Sequence, residues 1–454
     1  MKTVAQLEEF ARAQGLDFFP VHFERVPPSF MMEVSVYGLP VRMPHWSFGV
    51  RYIYQLIQHR MGHSHIFEVV FPGNPGKAYL ADTNSEVANV LVAAHVLGHA
   101  DFSKNNYLFR KVQEEVGYHI VEQAAAHAKM INDIIDRFGE TRVEAVLDAA
   151  LALEQHIDMD LGLRRELYPR QRPEPQARSK GEFQRRFEEL GGHPPAKEES
   201  PEVLTIPPHP ESDLLWFIAH YAPEMEPWER DIFLAVREES FYFYPVFACQ
   251  IMNEGWASYW HARLLRDSDF LTQNAYVDAM KTHSDVVRPY ANKEQVSLAI
   301  NPYHLGYVMW EKLIEREGLD AARRVMSSED DFSFLRNYLD EDLARELELF
   351  QYTAAANGEI TVTESTLESL LENILSSRYN YGAPKIAVAE MKLDGTLVLV
   401  HDHKSDGRGL KLDAARRVLN YIKQVWRRPV LIHTVNGVKK GICLSSEEVV
   451  ALED

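Results

Sequence analysis

Two histidines four residues apart lie in the apolar stretch LVAAHVLGHADFSKNN, residues 91–106. On a helix, residues at this spacing share one face with Cβ atoms roughly 5–6 Å apart. His95 and His99 could therefore both reach one metal ion at the usual bond length of about 2.0–2.1 Å. Zinc hydrolases of the H-E-x-x-H type have a glutamate base directly after the first histidine, whereas this chain has Val96. The pair predicts a metal site and leaves the base for hydrolysis unassigned.

A carboxylate in apolar surroundings is the second feature. In IMNEGWASYWH, residues 251–261, Glu254 stands among large apolar side chains. A buried carboxylate is costly unless it meets a cation, a metal or hydrogen-bond donors. Together with the two histidines it gives the His₂Glu ligand set of catalytic zinc sites. The alternatives are that the histidines are core residues bonded to backbone or carboxylates and that Glu254 forms a salt bridge or a helix cap.

Two residues are candidates for acid–base chemistry. His261 is seven residues after Glu254, two helical turns on and so on the same face. It is either a fourth ligand, which would close the site, or an acid or base beside an open position. Asp101 is the nearest carboxylate in sequence, but it points roughly 160° away from His99 on a regular helix. It can serve only if the helix ends early.

Five further side chains are candidates for supporting the ligands or lining a pocket. For His127 a role as a core histidine competes with this interpretation, and for His45 a role as a hydrogen-bonded packing residue competes equally. The five are His45, Lys104, His127, Asn253 and Tyr259.

Length and composition limit the class of protein. A chain of 454 residues with 46% hydrophobic and 25% charged residues is typical of a globular protein of two or three domains. Its formal net charge of −19 disfavours nucleic acid as the main partner. With only two cysteines, a disulfide scaffold and a cysteine zinc site are excluded. We expect no signal peptide, no membrane span and a cytoplasmic location.

The pattern along the chain predicts four consecutive parts. Residues 1–165 form an α+β part carrying the histidine helix, and residues 166–212 form a linker or long loop rich in proline and charge. Residues 213–352 form a helical part carrying NEGWASYWH, and residues 353–454 form a small ββαββ module. The fold class is mainly α with α+β parts: a zincin-like, specifically gluzincin-like, helical core with a short N-terminal sheet, plus the C-terminal module.

Local signals place the elements within these parts. HIFEVVF and KAYLAD are predicted strands, Asn84 or Ser85 is predicted to cap the histidine helix, and residues 114–139 are predicted to be helical. Pro245 is predicted in the first turn of the helix that carries Glu254, and Asn301-Pro302 starts another helix. Hairpin turns are predicted at Asp394-Gly395 and at Asn436-Gly437, on either side of a helix over residues 411–425.

Several long blocks resemble the SpoVR family, the stage V sporulation protein R group of bacteria and archaea. The resemblance covers residues 5–450 and is carried by GLPVRMPHWSFG, AHVLGHADFSKNN, YAPEMEPWERDI, MNEGWASYWH, NPYHLGYVMWE and FLRNYLDEDL. It departs from the family text at Ser103, usually Phe, and at His304, where Lys is common. Neither position is a proposed ligand.

The resemblance implies a cellular context and not a reaction. The family is associated with spore cortex formation, and it also occurs in bacteria that make no spores. Its genes there often neighbour those for an AAA-type serine protein kinase and a von Willebrand A-type protein. Protein partners of these two kinds are therefore expected.

Three functions are compatible with these observations. The first is a zinc-dependent hydrolase of peptide or amide bonds, linked to the spore cortex or to cell-envelope and stress physiology. The second is a non-catalytic metalloprotein, and the third is a helical interaction protein without metal; both would act as partners in a kinase-linked pathway. Zinc is the expected cofactor, with another divalent transition metal as the alternative.

Overall fold

The computed structural model describes residues 2–60, 68–168, 206–268, 272–287, 301–347, 349, 351–354, 360–363, 366–376, 378, 382–406, 409–435, 441–446 and 449–451. It divides the chain into two compact units, each built from two segments. The first unit comprises Met1–Leu147 and Ala235–Ala383, and the second comprises Asp148–Leu234 and Pro384–Asp454. The predicted division into four consecutive parts stays a prediction. Most of the predicted linker, residues 169–205, lies outside the described residues.

The chain is mainly helical with small sheets, as predicted. Its first part contains α1 (Lys2–Ala13), β1 (Val21–Val26), α2 (Pro28–Tyr37), α3 (Trp46–Arg60), β2 (Glu68–Phe71), β3 (Gly76–Ala81), α4 (Glu86–Asn105), α5 (Tyr107–Val116), α6 (Ile120–Phe138) and α7 (Glu140–Ala152). The middle part contains α8 (Leu214–Tyr221), α9 (Pro227–Ala248), α10 (Gln250–Asp267), α11 (Gln273–Val287), α12 (Pro302–Glu317), α13 (Leu319–Ser328), α14 (Asp331–Tyr338) and α15 (Glu341–Glu346). The last part contains β4 (Gln351–Ala354), β5 (Ile360–Thr363), α16 (Leu367–Ser376), β6 (Ile386–Met391), β7 (Leu397–His401), α17 (His403–Asp406), α18 (Leu412–Trp426), β8 (Val430–Val435), β9 (Gly441–Leu444) and β10 (Val449–Ala451).

Helix α4 carries the histidine pair and is capped at both ends. The Ser85 side chain accepts a hydrogen bond from the backbone N–H of Ala88, and Glu86 places a negative charge in the first turn. Both features stabilise a helix N-terminus. The helix continues to Asn105, after which Asn106 caps α5 by accepting from Leu108 N–H. Because α4 does not end early, Asp101 keeps its helical direction away from His99.

The short N-terminal sheet has the strand order β1-β3-β2. Strands β1 and β3 are parallel, while β2 is antiparallel to β3 with Glu68 opposite Leu80. The strand predicted from KAYLAD is thus confirmed as β3, and the one predicted from HIFEVVF is confirmed as β2 over residues 68–71, while residues 65–67 lie outside the described part of the chain. Strands β1 and β2 are the two edges of this sheet, and both β2 and β3 contact α4.

Helix α10, which carries Glu254, packs between α4 and α12 through small residues. A Cβ atom on Gly98 of α4 would lie 2.6 Å from Ala257 Cα, and one on Gly255 would lie 2.2 Å from the Gly306 carbonyl carbon of α12. These contacts are closer than any real Cβ allows, so glycine is required at both crossings. Glu254 and the histidines are consequently held on helices whose backbones touch.

The N-terminus of α10 is fixed by a buried carboxylate. Asp331 accepts hydrogen bonds from the backbone N–H groups of Ile251 and Met252 at 2.8 and 2.9 Å. Its second partner is Arg378, 3.0 Å away. Burial raises the pKa of Asp331 to about 7, although Arg378 and the two N–H groups act in the opposite direction. The turn that carries Glu254 is thereby anchored to α14.

Two predicted helix boundaries are wrong. Pro245 does not open the Glu254 helix, because α9 continues through it to Ala248 and the break falls at Cys249. A proline in the last turn removes one backbone donor, and the helix continues with Cys249 N–H donating to the Pro245 carbonyl at 3.0 Å. The helix predicted over residues 114–139 is split because Gly117, with φ +94°, ends α5.

The C-terminal strands of the second unit form a five-stranded sheet in the order β10-β9-β8-β7-β6. Strands β6 and β7 form the predicted hairpin, with Gly395 at φ +85° in its turn. Helix α18 connects β7 to the parallel strand β8, and β9 is antiparallel to β8. The predicted ββαββ order is therefore observed, while the turn at Asn436-Gly437 lies outside the described residues.

None of the helices in the described ranges combines the length and the apolar character needed to cross a membrane.

Candidate metal centre

Three side chains from α4 and α10 converge with their donor atoms facing one another. Single donor atoms of His95, His99 and Glu254 all lie within 4.8 Å of one another. Glu254 Oε2 is 3.3 Å from His95 Nε2 and 3.4 Å from His99 Nε2. The sequence-predicted His₂Glu set is thus brought together, and within the described residues it is the only such group of three.

The two nitrogen–oxygen distances indicate whether the carboxylate pairs directly with the imidazoles or shares an ion with them. A charge-assisted N–H···O bond is normally about 2.7–2.9 Å long. Bonds of about 2.0–2.1 Å from a tetrahedral ion place neighbouring ligand atoms roughly 3.3–3.4 Å apart. The observed 3.3 and 3.4 Å are longer than a charge-assisted hydrogen bond and are close to two edges of such a tetrahedron.

The second ring nitrogen of His95, Nδ1, contacts His261. The two Nδ1 atoms lie 2.9 Å apart, and both side chains are buried. Such a contact requires that one ring carries its proton on Nδ1 and the other does not. Nε2 of His95 faces Glu254. For this nitrogen to act as a metal ligand, the proton of the His95 ring must lie on Nδ1, which then donates to His261 Nδ1. His261 then contacts a proposed ligand, and it does not belong to the group of donor atoms found among the described residues.

The second ring nitrogen of His99, Nδ1, contacts Asn253. Asn253 Oδ1 lies 2.9 Å from His99 Nδ1. Since an amide oxygen only accepts, His99 carries its proton on Nδ1. Its Nε2 faces Glu254, and in the neutral ring this nitrogen carries the lone pair that a metal ligand requires. Asn253, predicted as a supporting residue, lies one position before Glu254 on the same helix.

The electrostatics favour an ionised Glu254 and a neutral His95, but they favour protonation of His99. Burial raises the pKa of Glu254, but the charge of His99 and the hydrogen bonds from both imidazoles outweigh it and hold the pKa well below its usual range. Burial and the neighbouring His99 lower the pKa of His95. For His99 burial also lowers the pKa, but Glu254 and Asn253 outweigh it and raise the pKa. Glu254 and His95 are thus in the protonation states that metal binding requires, whereas a metal would have to displace a proton from His99.

Two residues of this centre carry no signal in the sequence that marks them as functional. The Tyr303 ring stacks on His95 at 6.1 Å and 26°, and its hydroxyl interacts with the Glu254 carboxylate. The negative charge of Glu254, together with burial, raises the Tyr303 pKa. The second residue is Glu68 of β2, whose pKa burial raises to about 7, with His99 lowering it and Glu254 raising it. Tyr303 follows the predicted Asn301-Pro302 start directly, so its helix, though not its contact, was predictable.

Asp101, a candidate base by sequence, is engaged elsewhere. Its Oδ1 accepts from the backbone N–H of Asp17 at 2.7 Å and its Oδ2 from the Trp256 indole at 2.8 Å. Burial raises the pKa of Asp101 to about 6, while these two donors lower it. The carboxylate ties α4 to the segment after α1 and to α10. It does not belong to the group formed by the ligand atoms.

The remaining predicted side chains have partners of their own. Lys104 pairs with Asp17, and Tyr259 accepts from Arg263 at 3.2 Å. His127 lies between Glu238 and Glu239. His45 Nδ1 is 2.7 Å from the Ser47 hydroxyl, with the ring against Trp46 and Phe48. None of these four belongs to the ligand group found among the described residues.

Comparison with known sequences gives one family and one relative. The family model described as SpoVR like protein matches residues 1–382. The uncharacterized protein YcgB of Escherichia coli (strain K12) is 30% identical over 475 residues, which cover 95% of this chain and 91% of YcgB. No solved structure matches.

Proposed function

The chain belongs to the SpoVR family, and we propose that it is a metal-dependent hydrolase of peptide or amide bonds. His95, His99 and Glu254 are the proposed ligands, and zinc is the proposed metal. Two imidazoles and one carboxylate are a ligand set of catalytic zinc sites. A different divalent transition metal would suit the same nitrogen and oxygen donors.

The observation that carries the proposal is the pair of Nε2–Oε2 distances, 3.3 and 3.4 Å. They suit ligands around an ion better than direct ion pairs. The orientation of both rings gives further support, because each Nδ1 is engaged by a neighbour and each Nε2 faces the carboxylate. Histidines that bind metals are held by their second nitrogen in this way.

Three protein ligands favour a catalytic site over a structural one. Structural zinc sites use four protein ligands, whereas catalytic sites use three and keep one position open. His261 contacts His95, so it does not supply the fourth ligand. The contact between Gly98 and Ala257 already joins α4 to α10, which removes the need for a metal as a link. A non-catalytic metal site is the alternative that the experiment below distinguishes.

The order of elements supports a zincin-like arrangement by analogy. An antiparallel edge strand, β2, precedes the histidine helix α4, and the third ligand comes from the downstream helix α10. This order is that of the gluzincin type, and the analogy concerns local layout only.

Each residue has a definite task in the proposed reaction. Bound zinc would polarise a substrate carbonyl and lower the pKa of a water molecule to about 7. His261 and Asn253 would hold the two imidazoles in the required tautomers. The Tyr303 hydroxyl, adjacent to Glu254, would donate a hydrogen bond to the substrate oxygen as negative charge develops on it.

The proposal is tested by metal content and peptide cleavage. Purified wild-type protein, His99→Ala and the control His209→Ala, an exposed histidine outside the centre, are dialysed against zinc and analysed by mass spectrometry. One zinc per wild-type and control chain, with loss from His99→Ala, is expected. Zinc-dependent cleavage of a quenched peptide library would establish catalysis. Equal zinc in all three proteins would overturn the site, and stoichiometric zinc without cleavage would favour the non-catalytic alternative.

The cellular setting is proposed from the family resemblance. We place the protein in the cytoplasm, in spore cortex or cell-envelope and stress physiology, with a serine protein kinase and a von Willebrand A-type protein as partners. Co-purification of either partner with tagged wild-type protein from its own host would support this setting. Capture of neither would count against it.

A further inference from the structure

The proposed hydrolysis lacks a base at the usual position of zinc hydrolases. Val96 occupies that position and is fully buried. The two carboxylate oxygens of Asp101 accept from Asp17 N–H and the Trp256 indole. A base for this centre must therefore come from another element.

Strand β2 presents a carboxylate toward α4. Side chains two apart on a strand share a face. Val70 packs against the core cluster that contains Val92, Leu97 and other α4 residues. Val69, on the opposite face, packs with Val26, Met31 and Ala81. Glu68 shares its face with Val70 and so points toward the histidine helix.

The surroundings of Glu68 are the residues of the metal centre. Its carboxyl group interacts electrostatically with His99 of α4 and Glu254 of α10, and with Tyr303 of α12. Yet Glu68 is not part of the mutual group of ligand atoms found among the described residues. The charge of Glu68 therefore interacts with those of the proposed ligands, while its carboxylate lies outside the group of donor atoms that could share one ion.

We propose that Glu68 is the general base of this centre, an inference that rests on the hydrolase function proposed above. The Glu68 carboxylate takes one proton from water while the water oxygen forms a bond to the substrate carbonyl carbon. The Tyr303 hydroxyl donates to the oxygen that becomes negative. Glu68 then gives the proton to the amide nitrogen as the C–N bond breaks. The products are a carboxylic acid and an amine, and Glu68 returns to its ionised form.

The inference is tested with Glu68→Gln, which keeps the shape of the side chain and removes the proton acceptor. Glu24→Gln, on the exposed face of β1, is the matched control. Zinc content should equal that of wild type in both variants. Peptide cleavage should fall by about 10²–10⁴-fold in Glu68→Gln, the usual contribution of a general base, and remain unchanged in Glu24→Gln.

A binding measurement gives a readout besides catalysis. Acetohydroxamate loses a proton when it binds a zinc centre, and Glu68 would accept that proton. Calorimetry on the zinc-loaded proteins should show at least 10-fold weaker acetohydroxamate binding to Glu68→Gln than to wild type or Glu24→Gln. If Glu68→Gln does not fold, Glu68→Asp serves instead. It keeps the negative charge but places the carboxylate one methylene closer to the backbone of β2. We expect it to retain zinc and to lose most of the cleavage.

The failures of the two proposals are distinguishable. Wild-type protein without zinc or cleavage would overturn the hydrolase and with it the base. Zinc binding and cleavage in wild type, with equal cleavage and equal acetohydroxamate affinity in Glu68→Gln, would overturn the base alone. Loss of zinc from Glu68→Gln would also overturn it, since Glu68 would then be a ligand.

Discussion

His95 Nδ1 lies 2.9 Å from His261 Nδ1, and both side chains are buried. This contact between α4 and α10 orients a ligand through its far nitrogen. It favours a positioning role for His261 over the fourth ligand or the acid–base group expected from the sequence. His261 Nδ1 is the atom assigned to accept the hydrogen bond from His95. Substitutions at His261 should therefore be tolerated when the new side chain supplies an acceptor at that position.

The first prediction concerns that acceptor. His261→Ala should weaken zinc binding by about 10–100-fold, as expected when a group supporting a metal ligand is removed. His261→Asn places an amide oxygen near the position of Nδ1 and should restore most of the affinity. Competition titrations with a zinc chelator measure both. Equal weakening by Ala and Asn would show that packing, not the hydrogen bond, is what His261 contributes.

Asn253 supports the second prediction. Asn253→Asp keeps an oxygen that accepts from His99 Nδ1–H, so zinc affinity should be retained or increased. Asn253→Ala removes the acceptor and should reduce zinc affinity by about 10-fold or more. The two variants are compared in the same chelator titration. The reverse order of affinities would contradict the assigned hydrogen bond.

The third prediction concerns the close crossing of α10 and α12. A Cβ atom on Gly255 would lie 2.2 Å from the backbone of Gly306, so Gly255→Ala must force the helices apart. We expect it to lower the free energy of unfolding by about 3 kcal/mol, the upper range for overpacking. Gly49→Ala is the matched control, because Gly49 is an exposed residue of helix α3 and a Cβ atom added there would have no neighbouring atom within 4 Å.

In that control, alanine should be neutral or stabilising by about 0.5–1 kcal/mol, its helix-propensity advantage. Urea unfolding of the two variants and wild type gives both values. Similar stabilities for Gly255→Ala and Gly49→Ala would contradict the packing of α10 described above.

The fourth prediction is a pH dependence at His127. Burial lowers its pKa, but hydrogen bonds and charges from Glu238 and Glu239 outweigh burial and raise the pKa to about 9. Because the folded pKa exceeds the unfolded value of about 6.5, protonated His127 stabilises the fold. This contribution is complete below pH 6.5 and disappears as the pH rises through about 9.

Thermal unfolding of wild type and His127→Gln across this pH range tests the sign. The difference in melting temperature should be largest near pH 6 and shrink as the pH approaches 10. A constant difference would mean that His127 contributes through packing and not through its charge.

The three proposed ligands were predictable because each carries a local signal. The spacing of His95 and His99 requires only helical periodicity, and Glu254 is conspicuous as a carboxylate among aromatic side chains. The cap at Ser85 and the Asn301-Pro302 start likewise depend on a few adjacent residues. Such features can be predicted from sequence because the residues that cause them lie within one or two helical turns of one another.

Glu68 and Tyr303 could not be found in the same way. A glutamate at the start of a short strand normally faces water, and only the packing of β2 on α4 turns it toward His99. Tyr303 reaches His95 because Gly255 and Gly306 let two helices touch. Asp101 was favoured by its nearness in sequence to His99, but Asp17 and Trp256, distant along the chain, determine where its carboxylate is engaged.

The central claim is that one ion is shared by His95, His99 and Glu254. The most direct measurement is an anomalous difference map from crystals of the zinc-loaded protein. We expect one strong peak about 2.0–2.2 Å from His95 Nε2, His99 Nε2 and a Glu254 carboxylate oxygen. A strong zinc peak bound elsewhere, or no peak here with Glu254 hydrogen-bonded directly to the imidazoles, would contradict it.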